Sequence, residues 1–205
     1  MIKAVLFDVD GVLIDSLEAN ARAYSHDFKL LGGKAITTEK YRKFYHLPAR
    51  KMFKRFFPEM SDSEIEKTIE SRIEKSSRFF RYAKLNPGVK DTLRTLKNGY
   101  MLGIVTSRMN PRILDHFLIR ELFDSIVCFS DVKNPKPHPE PVNLALKRLK
   151  VRPEEAVYVG DAASDLEAGK AAGVKVIIYR NSEVKGDWNI AKFRDILGIV
   201  ERADA

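Results

Sequence analysis

Apolar residues in this chain come in short blocks that hardly alternate: Lys3–Phe7, Met101–Val105, Ser125–Phe129, Ala156–Val159 and Val174–Tyr179. Val, Ile and Phe are frequent in these blocks, and each ends in or close to a polar residue or a glycine. A strand with one wet face alternates, whereas a strand covered on both faces does not. The blocks therefore predict a parallel sheet with helices on both sides. Between them the apolar spacing becomes helical, over Gly88–Lys97, Pro111–Phe117, Pro139–Lys150 and Ser164–Ala172. Strand then helix, repeated, predicts a doubly wound, Rossmann-like α/β domain.

One interval breaks this rhythm. From Phe7 to Met101 no second block appears, and the stretch is far longer than one crossover helix requires. Ser16–Leu31, Thr38–His46, Ala49–Phe57 and Ser61–Ala83 all read as helices, with Thr38, Ser61 and Ser63 as caps. Gly32-Gly33 and Pro48 are the breakers between them. The expected organisation is a core of residues 1–15 and 86–205 with a small helical cap domain, 16–85, inserted after the first strand. Its hinges would be Asp15-Ser16 and Leu85-Asn86-Pro87-Gly88. Phe44, Phe53, Phe56, Phe57, Phe79 and Phe80 are expected to form most of the cap's own core. The segment from Asn181 onward carries no firm assignment, and Trp188 reads as packing.

Composition adds limits. The 205 residues are 44% hydrophobic and 31% charged, which suits a globule with one core and an insertion. No apolar run approaches the roughly 20 residues that span a bilayer, so no membrane partner is expected. The chain runs from Met1 straight into its first strand, which predicts no leader. A single cysteine, Cys128, leaves no internal disulfide and fits the cytoplasm. The net charge of +8 is unevenly placed: Ser16–Asn86 holds 16 Lys and Arg against 9 Asp and Glu. Lys40–Arg55 alone carries seven basic residues and no acid. The plain reading is a solvated helical face. The sharper one is an electrostatic funnel for an anionic small molecule, with His46 and Arg50 as candidate contacts. Nucleic acid is not the expected partner.

In an open α/β sheet, function gathers beyond the carboxyl ends of the strands. The first strand delivers Asp8, Asp10 and then Gly11, which frees the chain to turn sharply. The second delivers Thr106, Ser107 and Arg108; the third leads to Lys136; the fourth delivers Asp161 and, four residues on, Asp165. Carboxylates this crowded repel one another unless a cation neutralises them. All-oxygen ligands favour a hard divalent ion, Mg²⁺ above all. Mg²⁺ also lets an anionic nucleophile approach a phosphate. The lysine would add a fixed positive charge, and the threonine hydroxyl could donate to a phosphoryl oxygen.

The four stretches together resemble the haloacid dehalogenase superfamily. "DVDGVLIDS" is similar to its first motif, "GIVTSR" to its second, "NPKPHPEP" to its third and "VYVGDAASD" to its fourth, in family order over roughly residues 1–180. The helical insertion is similar to the family's helical cap. The resemblance implies that Asp8 is a nucleophile forming an aspartyl-phosphate, and that Asp10 is the general acid and then base. It implies phosphate binding by Thr106, Ser107 and Lys136. Mg²⁺ would be held by Asp8, the Asp10 carbonyl and Asp161, with Asp165 and Gly11 supporting. Arg108 is a further candidate for substrate contact. The implied activity is a Mg²⁺-dependent phosphatase acting on a small phosphorylated metabolite, with phosphoglycolate as the leading substrate. The alternatives are a sugar phosphomutase of the β-phosphoglucomutase type, or a regulatory protein that keeps the fold without turnover.

Overall fold

The structure, a computed structural model, describes residues 1–45 and 47–202. In chain order the elements begin with β1 (Ala4–Phe7), β2 (Ile14–Asp15), α1 (Leu17–Leu30), α2 (Thr38–Arg42), α3 (Ala49–Phe56), α4 (Asp62–Lys75) and β3 (Lys84–Leu85). There follow α5 (Val89–Lys97), β4 (Met101–Val105), α6 (Arg112–His116), β5 (Ser125–Val127), α7 (Glu140–Leu149) and β6 (Ala156–Gly160). The chain closes with α8 (Ala163–Ala171), β7 (Lys175–Tyr179), β8 (Trp188–Ile190) and α9 (Asp195–Arg202). It forms two compact units, one of residues 1–15 with the chain from Leu85 onward, the other Ser16–Lys84.

The first unit is the expected doubly wound α/β fold. Its sheet runs β5-β4-β1-β6-β7-β8, every pair parallel. Every residue of β1 is buried, as its unbroken apolar run requires. Ala4 and Leu6 face a core built with Val142, Leu146 and Leu149 of α7 and Ala168 of α8. On the other face, Phe7 stacks on Phe193 at 5.8 Å and meets Phe123 edge-on at 6.3 Å. Because β1 lies mid-sheet, both residues that follow it and those that follow β4 and β6 emerge side by side.

The second unit is helical, built on Tyr24, Phe28, Tyr41, Met52, Phe53 and Ile65, with Phe44, Phe56 and Phe57 packed against them. Arg72 donates to Asp27 at 2.5 Å and lies 3.6 Å from the Tyr24 ring centre, so its charge is paired within that core.

Several boundaries differ from the sequence expectation. The helix predicted over Ser61–Ala83 ends at Lys75 and tightens into a 3₁₀ segment, Ser76–Tyr82. There the Ser76 hydroxyl donates to the Ile73 carbonyl at 2.9 Å, one of the local contacts by which serine competes with the helical ladder. Ser61 does cap α4, closing a capping box with Glu64. The cap of α2 is Thr37, not Thr38, whose hydroxyl instead donates to Glu18. The helix predicted to reach His46 stops at Arg42, and His46 lies outside the described residues. The unassigned tail forms β8 and α9, and Trp188 opens that edge strand. No helix among the described residues is long and apolar enough to cross a membrane.

Candidate active site

The site begins where β1 ends. Asp8 keeps the sheet register, its N–H donating to the Val159 carbonyl at 2.9 Å, and it is buried. The chain then turns tightly: Leu13 and Ile14 N–H donate to the Val9 carbonyl, and Gly11 N–H to that of Ile14. Gly11 has φ +83°, the left-handed region. A second constraint is steric. A Cβ on Gly11 would stand 1.8 Å from Asp161 Oδ2, so the turn is also where backbone and carboxylate meet. Asn86 fixes the turn from outside, donating to the Gly11 and Val12 carbonyls at 3.0 and 2.8 Å.

Lys136 binds the buried centre together. Its side chain is 4% exposed, and Nζ donates to Asp8 at 2.9 Å, Asp165 at 2.6 Å and the Tyr158 hydroxyl at 3.1 Å. Asp165 is saturated. Lys136 and the Tyr158 hydroxyl donate to its Oδ1, and the N–H groups of Asp161 and Ala162 to its Oδ2. Burial pushes its carboxyl up, but these donors outweigh burial and hold it below the usual carboxylate range. Burial lifts Asp8 to about 7 despite Lys136. Asp161 is lifted to about 9, by burial first and then by the charges of Asp8 and Asp165.

At the end of β4, Thr106 is buried, and its Oγ1 accepts the Arg108 N–H at 3.2 Å, which leaves the hydroxyl hydrogen to donate. Ser107 is exposed. Arg108 Nε and Nη2 donate to the two carboxylate oxygens of Asp10 at 2.7 and 2.6 Å, a bidentate fork. The structure thus brings Asp8, Asp10, Thr106, Arg108, Lys136, Asp161 and Asp165 to one edge of the sheet.

A model of the haloacid dehalogenase-like hydrolase family matches residues 5–179 of the chain. The chain belongs to this family. It is a hydrolase of phosphoric esters or anhydrides. Pyrophosphatase PpaX of Bacillus velezensis is 37% identical over 97% of this chain and 96% of that protein. CbbY of Rhodobacter sphaeroides, solved in complex with phosphate, superposes with a TM-score of 0.84 at 28% identity, covering 96% of each chain. A predicted phosphoglycolate phosphatase from Haemophilus somnus superposes at 0.83 with 26% identity, covering 97% of each chain.

For a haloacid dehalogenase-like hydrolase the question is whether these side chains suit a divalent cation. One ligand oxygen from each of Asp8, Asp161 and Asp165 falls within 4.8 Å of the others. Asp161 Oδ1 is buried with no hydrogen-bond partner, whereas Asp165 has already spent both oxygens. With all four carboxylates ionised, the two cations Lys136 and Arg108 would leave two negative charges, and the raised Asp8 and Asp161 carboxyls express that excess. The donor set is all oxygen, so Asp8 and Asp161 could hold a hard divalent cation.

Sequence reasoning missed several members of this haloacid dehalogenase-like site. Tyr158, two residues before Gly160 on β6, reads as one more apolar strand residue, yet its hydroxyl donates to Asp165 at 2.8 Å. Asn181, just past β7, donates to the Asp161 carbonyl at 2.7 Å. Its position beyond the carboxyl end of a strand was the available signal. Arg50 is paired within the helical unit: α4 brings Glu66 and, at 3.2 Å, Asp62 against its guanidinium. Lys54 donates to the Met60 carbonyl at 2.6 Å. Within the basic run, Arg50 is thus met by acids 12 and 16 residues further along the chain.

Proposed function

We propose that the protein is a Mg²⁺-dependent phosphatase that forms an aspartyl-phosphate on Asp8, with inorganic pyrophosphate as its leading substrate. The observation that carries the chemistry is the buried pairing of Asp8 with Lys136, next to a partnerless Asp161 oxygen. A cation between Asp8 and Asp161, completed by the Asp10 carbonyl, would neutralise the site's excess charge and screen the phosphoryl oxygens.

The chain's own residues supply the rest. Asp8 attacks phosphorus, an O–P bond forms, and the bond to the leaving oxygen breaks. Asp10 gives that oxygen a proton. A water then attacks the aspartyl-phosphate, Asp10 takes its proton, and the O–P bond to Asp8 breaks. Lys136 holds the Asp8 carboxylate in place through one oxygen. The Thr106 hydroxyl donates to a phosphoryl oxygen. Asp165 acts through Lys136 and through the N–H groups that open α8, so it is a positioning residue.

The choice of pyrophosphate rests on likeness: the PpaX relative bears that activity in its name and aligns over nearly all of both chains. The expected phosphoglycolate substrate is a second reading, supported by the Haemophilus somnus neighbour. The mutase alternative is not favoured. The test is phosphate release from pyrophosphate, 2-phosphoglycolate and a panel of sugar phosphates, with and without Mg²⁺. Asp8→Asn and Asp10→Asn should each abolish release while the circular dichroism spectrum is kept. Full activity in Asp8→Asn would end the nucleophile assignment, and an isomerised sugar phosphate as product would restore the mutase reading.

A further inference from the structure

In the site as folded, the proposed acid/base is not idle. Both oxygens of Asp10 accept from one guanidinium, and the two side chains are only partly exposed, 25% and 17%. Arg108 is held for this from its own backbone. Its N–H donates to Thr106 Oγ1 at 3.2 Å, and its carbonyl accepts the Phe129 N–H at 2.9 Å. The fork is therefore placed by the β4 end and the segment after β5, not by the flexible reach of an arginine alone.

Two constraints now meet. If Asp10 gives a proton to the leaving oxygen, it must come within hydrogen-bond distance of that oxygen. A group that touches both oxygens of Asp10 then stands beside the leaving group as well. We propose that Arg108 is the specificity-determining residue for the leaving group: its guanidinium exchanges the Asp10 carboxylate for an oxyanion carried by the substrate. The inference rests on the proposed Asp8 and Asp10 chemistry and narrows its substrates to one class, phosphates whose leaving group carries an anionic oxygen besides the departing one, on a second phosphate or on a carboxylate.

The physical reason is balance. An arginine fork matches phosphate and carboxylate equally well, so an anionic leaving group replaces the bonds that Asp10 gives up. An uncharged alcohol offers no such replacement, and a charged fork parted from its carboxylate loses charge-assisted bonds without return. The same exchange releases Asp10 only when a matching substrate is present. Lysine in this position would keep the charge but not the two-pronged geometry.

The test compares wild type, Arg108→Lys and Arg108→Met as full chains with Mg²⁺. kcat/KM is measured for pyrophosphate and for p-nitrophenyl phosphate, whose ester carries no second oxyanion. Arg108→Met should lose on the order of 30- to 100-fold more on pyrophosphate than on p-nitrophenyl phosphate, the range set by bonds to a charged group. Arg108→Lys should recover part of that difference. Titration calorimetry with imidodiphosphate and with orthophosphate should show the former weakened more. Parallel losses on both substrates and both ligands would overturn the proposal and make Arg108 a structural support. Should wild type cleave p-nitrophenyl phosphate but not pyrophosphate, the pyrophosphate reading falls by itself. The same differential is then required between 2-phosphoglycolate and glycerol phosphate. Should wild type cleave none of these, the calorimetric comparison still decides.

Discussion

Lys136→Met would remove the charge that two buried carboxylates share while keeping a side chain of similar length. Asp8 and Asp165 lie 2.9 and 2.6 Å from the ammonium, which is 4% exposed. Without it the folded chain has two ways to respond. It can keep a buried carboxylate unpaired, at about 3–5 kcal/mol. Or Asp165 can take up a proton, which from its ordinary value of 3.8 costs about 6 kcal/mol at pH 8 and about 2 kcal/mol at pH 5.5. The smaller cost sets the loss, so the variant should be destabilised by about 3–5 kcal/mol at pH 8 and by about 2 kcal/mol at pH 5.5. In a chain of this size each kcal/mol moves Tm by about 2–4 °C, which predicts a fall of roughly 6–20 °C at pH 8 and roughly 4–8 °C at pH 5.5. Thermal unfolding followed by circular dichroism, in chelator, on wild type and variant at both pH values, measures the difference directly. An equal depression at the two pH values, or one below about 2 °C at pH 8, would refute the claim that Lys136 compensates buried charge.

Two further outcomes are expected. Gly11→Ala places a methyl on Asp161 and forces a left-handed alanine, worth about 1–2 kcal/mol in backbone strain alone; phosphate release should fall at least 100-fold by order of magnitude, since about 3 kcal/mol of lost positioning suffices, and a Gly11→Ala enzyme of near-normal activity would show the contact to be dispensable. The chelated protein should lose stability as pH rises from 5 to 9. Asp8 at about 7 and Asp161 at about 9 hold protons in the folded state that the unfolded chain, near 3.8, has released. Their stabilisation is complete below that ordinary value and disappears as pH rises through 7 and then 9. Saturating Mg²⁺ should flatten the decline, and a chelated Tm that is level across this range would contradict the raised carboxyls.

The local elements were legible because their causes are local. The unbroken apolar run before Asp8 requires a strand buried on both faces, and β1 is that strand. Ser61 reads as a cap from its place before a helical pattern, and the structure completes it with Glu64, three residues on, as a capping box. Asp8, Asp10, Thr106, Asp161 and Asp165 could be placed at one edge because parallel strands present their carboxyl ends together. What the sequence left open depends on encounters between distant segments. β8 is a three-residue edge strand, half-buried at Trp188 and exposed at Asn189, and so leaves no buried run to read. Arg108 and Asp10 are 98 residues apart, and only the adjacency of β1 and β4 turns a surface-looking arginine into a fork on a carboxylate. Likewise α4 brings Asp62 and Glu66 to Arg50, so an arginine in a run with no acid in sequence is paired in space. Periodicity and composition record what each segment buries. Which charge meets which is set by the tertiary structure, because Coulomb and hydrogen-bond partners act over a few ångströms of space, not along the chain.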